Sequence, residues 1–255
     1  MKAVWSIAKK ELMTYFTSPI AYTVIAIFVL LSGFFYYSLV WWFNTQAMQM
    51  ARNPYYFQQI NINQMVFAPL FHNLSIVLLL MLPLVSMRLF SEEKKLGTEE
   101  LLFTSPVSVT QIILGKYLAS LIVLFTMLFL SAVPTFFAFV YGNPELAPYL
   151  LGYLGLFLLG AAFLGLGVFW SALTENQIVS AVLTFGTLLL FWVISWAAYS
   201  VRGFWHDVLN YLSFFEHFDG MTRGILDTTD LVYYLSFAFF GLFLTHSVIQ
   251  FRRWR

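Results

Sequence analysis

Side chains that could do chemistry gather in one stretch of this chain, residues 91–108, which reads SEEKKLGTEELLFTSPVS. The stretch holds four glutamates and two lysines, although only 10% of the whole chain is Asp, Glu, Lys or Arg. Apolar residues follow the second pair of glutamates, so charged and apolar groups stand together. Such a mixed surface suits docking onto a soluble partner protein, whereas the alternative is a solvated hairpin that merely connects two apolar segments.

Patterns typical of catalysis are weak in the rest of the sequence. The phosphate-binding pattern G-x-x-x-x-G-K-[ST] is absent, because Gly115 and Lys116 lack the upstream glycine and the following hydroxyl. There is no cysteine, which excludes disulfides, thiol catalysis and cysteine metal ligands. No serine, histidine and acid can be assigned to one face. We therefore expect no catalytic residue and no cofactor bound by this chain.

Two histidines with nearby acids raise the question of a metal site. His206 precedes Asp207, and His217 lies two residues before Asp219. These spacings match no standard ligand set, so a wet surface of mixed polarity is favoured and no metal is expected.

The composition predicts a membrane protein with several spans. The chain of 255 residues is 60% hydrophobic and 20% aromatic, whereas about a quarter of a soluble domain is charged. Six apolar stretches are each long enough for a helix to cross a bilayer, which needs about 20 residues. They lie at about 20–43, 68–90, 111–141, 147–171, 176–200 and 230–251. The predicted fold class is therefore an all-α membrane protein with six transmembrane helices.

The distribution of lysine and arginine predicts the orientation. Six spans place both termini on one side, together with the connections 88–111 and 171–177. That side holds ten Lys and Arg residues and the other side three, so both termini are predicted to be cytoplasmic. No span has a charged residue at its centre, which argues against ion-driven transport. The net charge of +1 indicates no attraction to nucleic acid.

Residues 1–18 predict an interfacial amphipathic helix that ends at Ser18, with Pro19 opening the first span. One helical face holds the apolar residues Trp5, Ala8, Leu12, Tyr15 and Phe16. The basic residues Lys2, Lys9 and Lys10 lie away from that face. Small residues in the fourth span (Ala161 and Gly165, Gly167 and Ser171) predict close helix packing, within the chain first and between subunits second.

Within 91–108 the local signals predict two short helical pieces. Ser91 can cap the first, and Gly97 supplies its end. Thr98 is a good N-cap for a second helix over about 98–105, which Pro106 ends. The third span then begins with a capping box formed by Ser108 and Gln111.

The segment 200–229, on the other side of the membrane, predicts short helices before the sixth span. Ser213 with Glu216 forms a capping box, and a helix from Phe214 to Arg223 should end at Gly224. The side chains expected to form apolar faces in this segment are Trp205, Phe214, Phe215 and Phe218. Those expected to be exposed to solvent are Glu216, Asp219 and Asp227.

Several of these motifs resemble a known family. Residues 97–107, of the form G-T-x-E-x-L-F-x-S-P-V, resemble the cytoplasmic loop of type-2 ABC transporter permeases, the exporter-type membrane subunits. Lys94 and Lys95 stand where arginine is common in that family. The segments TENQ (174–177), HF (217–218), GILDTTD (224–230) and YYLS (233–236) are similar to the gliding-motility-associated permease branch. The resemblance covers most of the chain.

The resemblance implies one transmembrane permease domain over 1–255, a non-catalytic subunit in a bacterial cytoplasmic membrane. It implies a dimer of permease chains, identical or not, that rests on two cytoplasmic ABC ATPase subunits and exports a substrate. ATP and Mg would be bound by those ATPase subunits.

The resemblance also implies roles for particular residues. The ATPase-coupling helix would involve Glu92, Glu93, Gly97, Thr98, Glu99, Glu100, Leu102, Phe103, Ser105 and Pro106. The interfacial helix would contribute Trp5, Lys9, Lys10 and Leu12. An external gate would be formed by Phe214, Phe215, His217, Phe218, Gly224 and Asp227.

Two other functions stay open at this point. The same architecture could pass mechanical work to a periplasmic partner while no substrate crosses. It could also be a transporter or membrane enzyme that works without an ATPase, in which case no ATPase gene should lie beside its own. The substrate is not indicated by any residue pattern.

Overall fold

Helices make up the architecture, because a helix satisfies its own backbone hydrogen bonds where lipid cannot. The computed structural model describes residues 2–50, 61–98 and 107–253, and every regular element in those ranges is helical. The α-helices are α1 (Lys2–Thr17), α2 (Pro19–Met50), α3 (Ala68–Ser86), α4 (Arg88–Lys95), α5 (Val109–Tyr141), α6 (Leu146–Leu173), α7 (Gln177–Ser200), α8 (Phe204–Leu212), α9 (Phe214–Thr222) and α10 (Thr228–Arg253). One π-helical turn, Asn63–Phe67, precedes α3.

The prediction of an all-helical chain with six spans is confirmed. Six helical segments in the described ranges are long and apolar enough to cross a membrane: α2, the segment Asn63–Lys95, α5, α6, α7 and α10. The second is longer than predicted, because α4 continues the direction of the chain beyond α3 to Lys95. Glu92, Glu93 and Lys94 therefore belong to the end of a spanning helix and not to a loop.

Helix α1 is a separate element, as predicted, because Ser18 breaks the helix and Pro19 starts α2. It packs along the beginning of α5. Only part of its predicted apolar face packs against the bundle. Ala8 and Tyr15 are buried together with Glu11, and Leu12 is half-buried, whereas Trp5 and Phe16 are 58% and 37% exposed.

Helix α6 is the central element of the bundle. Most of its residues are buried, and it packs against α3, α4, α5, α7, α9 and α10. Helices α2 and α7 lie at the outside and leave apolar side chains exposed, for example Phe34, Tyr37 and Val182. Because lipid is as apolar as these side chains, close packing and hydrogen bonds decide how the spans associate.

Small residues allow α6 and α10 to approach closely. A Cβ atom built on Gly165 would lie 2.9 Å from the carbonyl oxygen of Ala238, and one built on Gly241 would lie 2.8 Å from the backbone nitrogen of Leu166. Both contacts are to backbone atoms, which cannot rotate away as a side chain could. The predicted packing of Gly165 within the chain is confirmed.

We expect Gly241→Ala to destabilise the protein by about 1–3 kcal/mol, since the added methyl group forces α6 and α10 apart. The measurement is the thermal unfolding midpoint of the purified protein in detergent. Gly186→Ala on α7 is the matched control, because a Cβ there meets no described atom within 4 Å. Equal unfolding midpoints for the two variants would contradict the close approach of α6 and α10.

Candidate functional site

The end of the bundle that carries 96–108 and both termini, called the inner end here, contains a buried charge cluster. Lys116 on α5 is 1% exposed. Its Nζ lies 2.9 Å from Oε1 of Glu11 on α1, 2.9 Å from Oε1 of Glu93 on α4 and 2.5 Å from the carbonyl oxygen of Leu89. The ammonium group thus has three oxygen atoms within 2.9 Å, and it donates hydrogen bonds to those of Glu11 and Leu89. Glu11, Glu93 and Lys116 are called the inner ion cluster below.

The inner ion cluster is stabilising only as a complete set. A buried ion without a partner loses its hydration, which costs several kcal/mol, and paired ions recover that cost only with good geometry and full hydrogen bonding. Lys10 supplies a second positive charge, 3.6 Å from Oε1 of Glu93, so two acids face two bases. Because the Lys10 side chain is 63% exposed, water screens its contribution.

A second set of hydrogen bonds joins α1, and Ser18 between α1 and α2, to the end of the second span. The Tyr15 hydroxyl donates to the carbonyl oxygen of Val85 at 2.7 Å. Burial raises the pKa of that hydroxyl, so it remains a donor at neutral pH. The Arg88 guanidinium donates two bonds to Glu92, at 2.8 and 3.0 Å, and one to the Ser18 hydroxyl at 2.8 Å.

Ser171 joins α6 to the bend between α3 and α4. Its hydroxyl accepts hydrogen bonds from the backbone nitrogens of Phe90 and Ser91, at 2.9 and 3.2 Å, and donates to the carbonyl oxygen of Met87 at 3.0 Å. Ser91 was predicted to cap a helix, and this is wrong: it lies inside α4, and its own hydroxyl donates to Met87 as well.

Two basic side chains bind the last carbonyl groups of α6. Lys94 on α4 donates to the carbonyl oxygen of Ala172, and Arg252 on α10 donates to that of Leu173 at 2.9 Å. The last carbonyls of a helix have no partner within it, and the negative end of the helix dipole favours cations there. Three helices, α4, α6 and α10, are therefore held together at the inner end.

The residues predicted for coupling lie partly in this cluster. Glu93 pairs with Lys116, and Glu92 pairs with Arg88. Gly97 ends α4 with a φ of +68°, a conformation that favours glycine, as predicted. The Thr98 hydroxyl donates to the carbonyl oxygen of Glu93 at 3.3 Å. The predicted helix over 98–105, with Glu99, Glu100, Leu102, Phe103, Ser105 and Pro106, lies outside the described residues after Thr98.

On the far side of that segment, the capping box at the start of α5 is confirmed. The Ser108 hydroxyl accepts from the backbone nitrogen of Gln111 at 3.3 Å, and the Gln111 side chain accepts from the backbone nitrogen of Ser108 at 3.2 Å. Both ends of the segment 99–106 are therefore anchored on membrane-spanning helices, α4 before it and α5 after it.

The ion pair between Glu11 and Lys116 was not predicted from the sequence. Lys116 is an isolated charge beside a long apolar run, which is the signal that could have raised the question, whereas Glu11 directly follows Lys9 and Lys10. The same pairing explains which face of α1 the bundle buries. Because the Glu11 carboxylate points to Lys116, α1 is rotated so that Trp5 and Phe16 lie exposed. Lys9 and Lys10 are exposed as well.

At the opposite, outer end, α8 and α9 cover the bundle. Asp219 on α9 accepts from Nε2 of His72 on α3 at 3.3 Å and from Arg223 at 2.7 Å. The His72 ring stacks on Phe215 with centroids 5.5 Å apart. The Phe214 and Phe218 side chains are buried.

His217 connects α9 to both neighbouring elements. Its Nδ1 lies 2.7 Å from Oδ1 of Asp230 on α10, and its Nε2 lies 3.0 Å from the carbonyl oxygen of Tyr211 on α8. Its ring stacks on Tyr233 with centroids 4.0 Å apart. Asp219 faces the other side of α9, so His217 and Asp219 do not pair. Within the described ranges no three His, Asp or Glu side chains are grouped as metal ligands.

The remaining predictions for the outer end are partly confirmed. Ser213 caps α9, but its hydroxyl accepts from the nitrogen of Phe215, while Glu216 accepts from Asn210. The chain reverses at Gly224, where φ is +86°. The Asp227 carboxylate accepts from the backbone nitrogen of Thr229 at 3.0 Å, and this bond lowers its pKa.

A comparison with protein families decides what this arrangement belongs to. The family model described as ABC-2 family transporter protein matches residues 5–251, nearly the whole chain. The chain belongs to the ABC-2 transporter family. A comparison with curated proteins gave no match. The protein is thus a multi-pass membrane protein and a permease subunit of an ABC transporter, a class that associates with ATPase subunits.

In this ABC-2 permease the inner ion cluster binds α1, α4 and α5 to one another, and α4 and α5 are the helices that the segment 99–106 connects. At the outer end the described contacts between helices pair histidine with carboxylates and also involve tyrosine and phenylalanine. The inner end therefore joins the connection between the second and third spans to several helices at once.

We expect Lys116→Met to destabilise the ABC-2 permease by about 3–5 kcal/mol, because it leaves the buried carboxylate of Glu11 without its cation and Glu93 with the exposed Lys10 alone. The measurement is thermal unfolding in detergent. Adding Glu11→Gln and Glu93→Gln to Lys116→Met should recover most of the loss, since no buried charge remains unpaired. Lys10→Met is the matched control, expected to cost less than about 1 kcal/mol because that side chain is exposed.

A triple variant no more stable than Lys116→Met alone would contradict this account of the cluster.

Proposed function

We propose that this ABC-2 permease converts ATP hydrolysis by a separate ATPase subunit into export of a substrate across a bacterial cytoplasmic membrane. In this arrangement the inner end and both termini are cytoplasmic, which the ten-to-three distribution of Lys and Arg supports. The observation that carries the proposal is the inner ion cluster, which includes Glu93 on α4, the helix from which the chain continues into the charged segment 99–106. The permease chain is non-catalytic, and ATP and Mg bind to the ATPase subunit.

A push on the coupling segment would be transmitted through short, polar contacts. Gly97 ends α4 only two turns after its start, and Glu93 in the last turn of α4 bonds to Lys116 on α5. Glu11 passes the same displacement to α1. Ser171 and Lys94 pass it to α6, the central helix. Because buried ion pairs tolerate little separation, these helices should move as one unit.

The assembly we propose contains two ATPase subunits and two permease chains, each chain forming one domain over 1–255. Helices α2 and α7 carry no Asp, Glu, Lys or Arg and present exposed apolar side chains. Contact between two copies through these helices would cost no desolvation of charge. Trp5, Lys9 and Lys10 on α1 are exposed, and Lys10 lies 3.6 Å from Glu93, which makes α1 a second contact for the ATPase.

Mechanical work on a periplasmic partner is the second candidate, and it accords with the similarity of residues 174–236 to the gliding-motility-associated permease branch. The buried aromatic side chains of α9, Phe214 and Phe218, favour it, because they fill the outer end of the chain. A substrate that passes such an apolar surface would itself be lipid-linked or amphipathic.

The test of ATPase coupling is co-purification with the ATPase subunit encoded beside this chain's gene. Glu100→Lys combined with Leu102→Asp should reduce the amount of bound ATPase by about tenfold, since it reverses a charge and places another in the apolar contact. A double variant that retains bound ATPase would contradict the docking site.

The test of transmission uses the neutral triple variant Lys116→Met, Glu11→Gln and Glu93→Gln. It should still bind the ATPase, because its docking segment is unchanged, but ATP-dependent movement at the outer end should be lost. The movement is measured by labelling a single introduced cysteine, Tyr141→Cys, on an exposed residue of a chain without native cysteine. Unchanged ATP-dependent labelling in the triple variant would exclude the inner ion cluster as the path.

A further inference from the structure

His217 has hydrogen-bond acceptors at both ring nitrogens. Nδ1 faces the carboxylate of Asp230 at 2.7 Å, and Nε2 faces the backbone carbonyl of Tyr211 at 3.0 Å. A carbonyl oxygen only accepts, and an ionised carboxylate only accepts. A neutral imidazole carries one N–H, so it can satisfy one of these contacts and must direct a lone pair at the other oxygen.

We infer that His217 and Asp230 form a proton-binding latch, in which His217 is held as an imidazolium that joins α8, α9 and α10. With both nitrogens protonated, each contact becomes a favourable hydrogen bond, and the bond to Asp230 is assisted by opposite charge. The bound proton is then part of the docked arrangement of the two outer helices. This assigns a proton site to the protein and goes beyond the proposed coupling to an ATPase.

The surroundings of the ring favour a positive charge. Asp230 and Asp227 both interact electrostatically with His217, and the ring lies on the face of Tyr233 and beside Tyr211. Helices α6 and α7, which also pack against α9, contain no Asp, Glu, Lys, Arg or His. The nearest other titratable set, His72 with Asp219 and Arg223, lies between α9 and α3. The facing charges are therefore two carboxylates: that of Asp230, whose side chain is 14% exposed, and that of Asp227, which is exposed and screened by water.

The direction of the pH effect follows from this geometry. The docked state needs the proton for its contact with Tyr211, whereas an exposed imidazole in an undocked state does not. Acidification therefore favours docking of α8 and α9, and alkalinisation weakens it. The permanent contacts of the same region remain at every pH, namely the Tyr233 hydroxyl to the carbonyl of Leu212 at 2.7 Å and the Tyr234 hydroxyl to that of Phe214 at 2.8 Å.

The protonation state can be read directly by ¹⁵N NMR of the four histidine side chains in the full-length protein in lipid nanodiscs. At about pH 7.5, where an unperturbed histidine is neutral, we expect one ring with both nitrogens protonated. That signal should be absent in His217→Gln and converted to a neutral ring in Asp230→Asn, which keeps the shape but removes the charge. A neutral His217 ring in the unmodified protein at this pH would overturn the inference.

The latch itself is tested by cysteine labelling as a function of pH. Thr222 on α9 is 1% exposed, and Thr222→Cys should react with a membrane-impermeant maleimide only when α9 opens. Between about pH 6 and 9 its labelling rate, divided by that of the exposed Tyr141→Cys, should rise about tenfold, the equivalent of one lost hydrogen bond.

Two further variants distinguish the effect of the proton on the labelling rate from the effect of ordinary packing. With Asp230→Asn the normalised rate should be high and independent of pH. Tyr233→Phe removes a bond between α10 and α8 that does not depend on the proton, so it should raise the rate while the pH dependence is kept. A normalised rate that is flat with pH in the Thr222→Cys protein, or equally steep with Asp230→Asn, would overturn the latch.

Discussion

The ammonium group of Lys116 is the interaction on which the inner end depends. An ion in a bundle this poor in charge must be matched atom by atom, and the contacts of Lys116 join α5 to two other helices: to Glu11 of α1, and to Glu93 and the backbone carbonyl of Leu89 on α4. None of these helices could rotate or slide without leaving a buried charge unpaired. The apolar contacts around them would tolerate such a shift, because one apolar face packs in lipid much like another. The cluster therefore determines how α1 is oriented and where the segment 99–106 is anchored.

Helix α6 connects the inner end to the rest of the bundle. Its last carbonyls are bound by Lys94 and Arg252, its Ser171 hydroxyl holds the bend before α4, and its glycine-containing face meets the backbone of α10. A helix held by polar bonds at one end and by backbone contact along its length behaves as a stiff element. Displacement at the membrane surface can then reach the outer end without a chain of charged residues through the lipid, which would be costly.

The two ends of the ABC-2 permease use different chemistry. The inner end relies on ion pairs of Lys116 and Arg88 with carboxylates of Glu11, Glu92 and Glu93. The outer end is covered by short helices whose contacts involve histidine and tyrosine, and the two rings His72 and His217 each face a carboxylate. A rigid inner end and a titratable outer end are suited to a subunit that is driven from one side and opens on the other.

The sequence by itself determined the features that depend on neighbouring residues. Hydropathy and length indicated six spanning helices, Pro19 and Gly97 marked helix ends, and Ser108 with Gln111 formed the predicted capping box, because these features depend on contacts within a few residues. Only the tertiary structure decided which of the few polar groups meet. Glu11 bonds to Lys116 across more than a hundred positions, His217 bonds to Asp230 and not to Asp219, and Ser91 lies inside a helix held by Ser171. Such pairings depend on the rotation and depth of whole helices, and apolar patterns that are nearly uniform around each span do not encode either one.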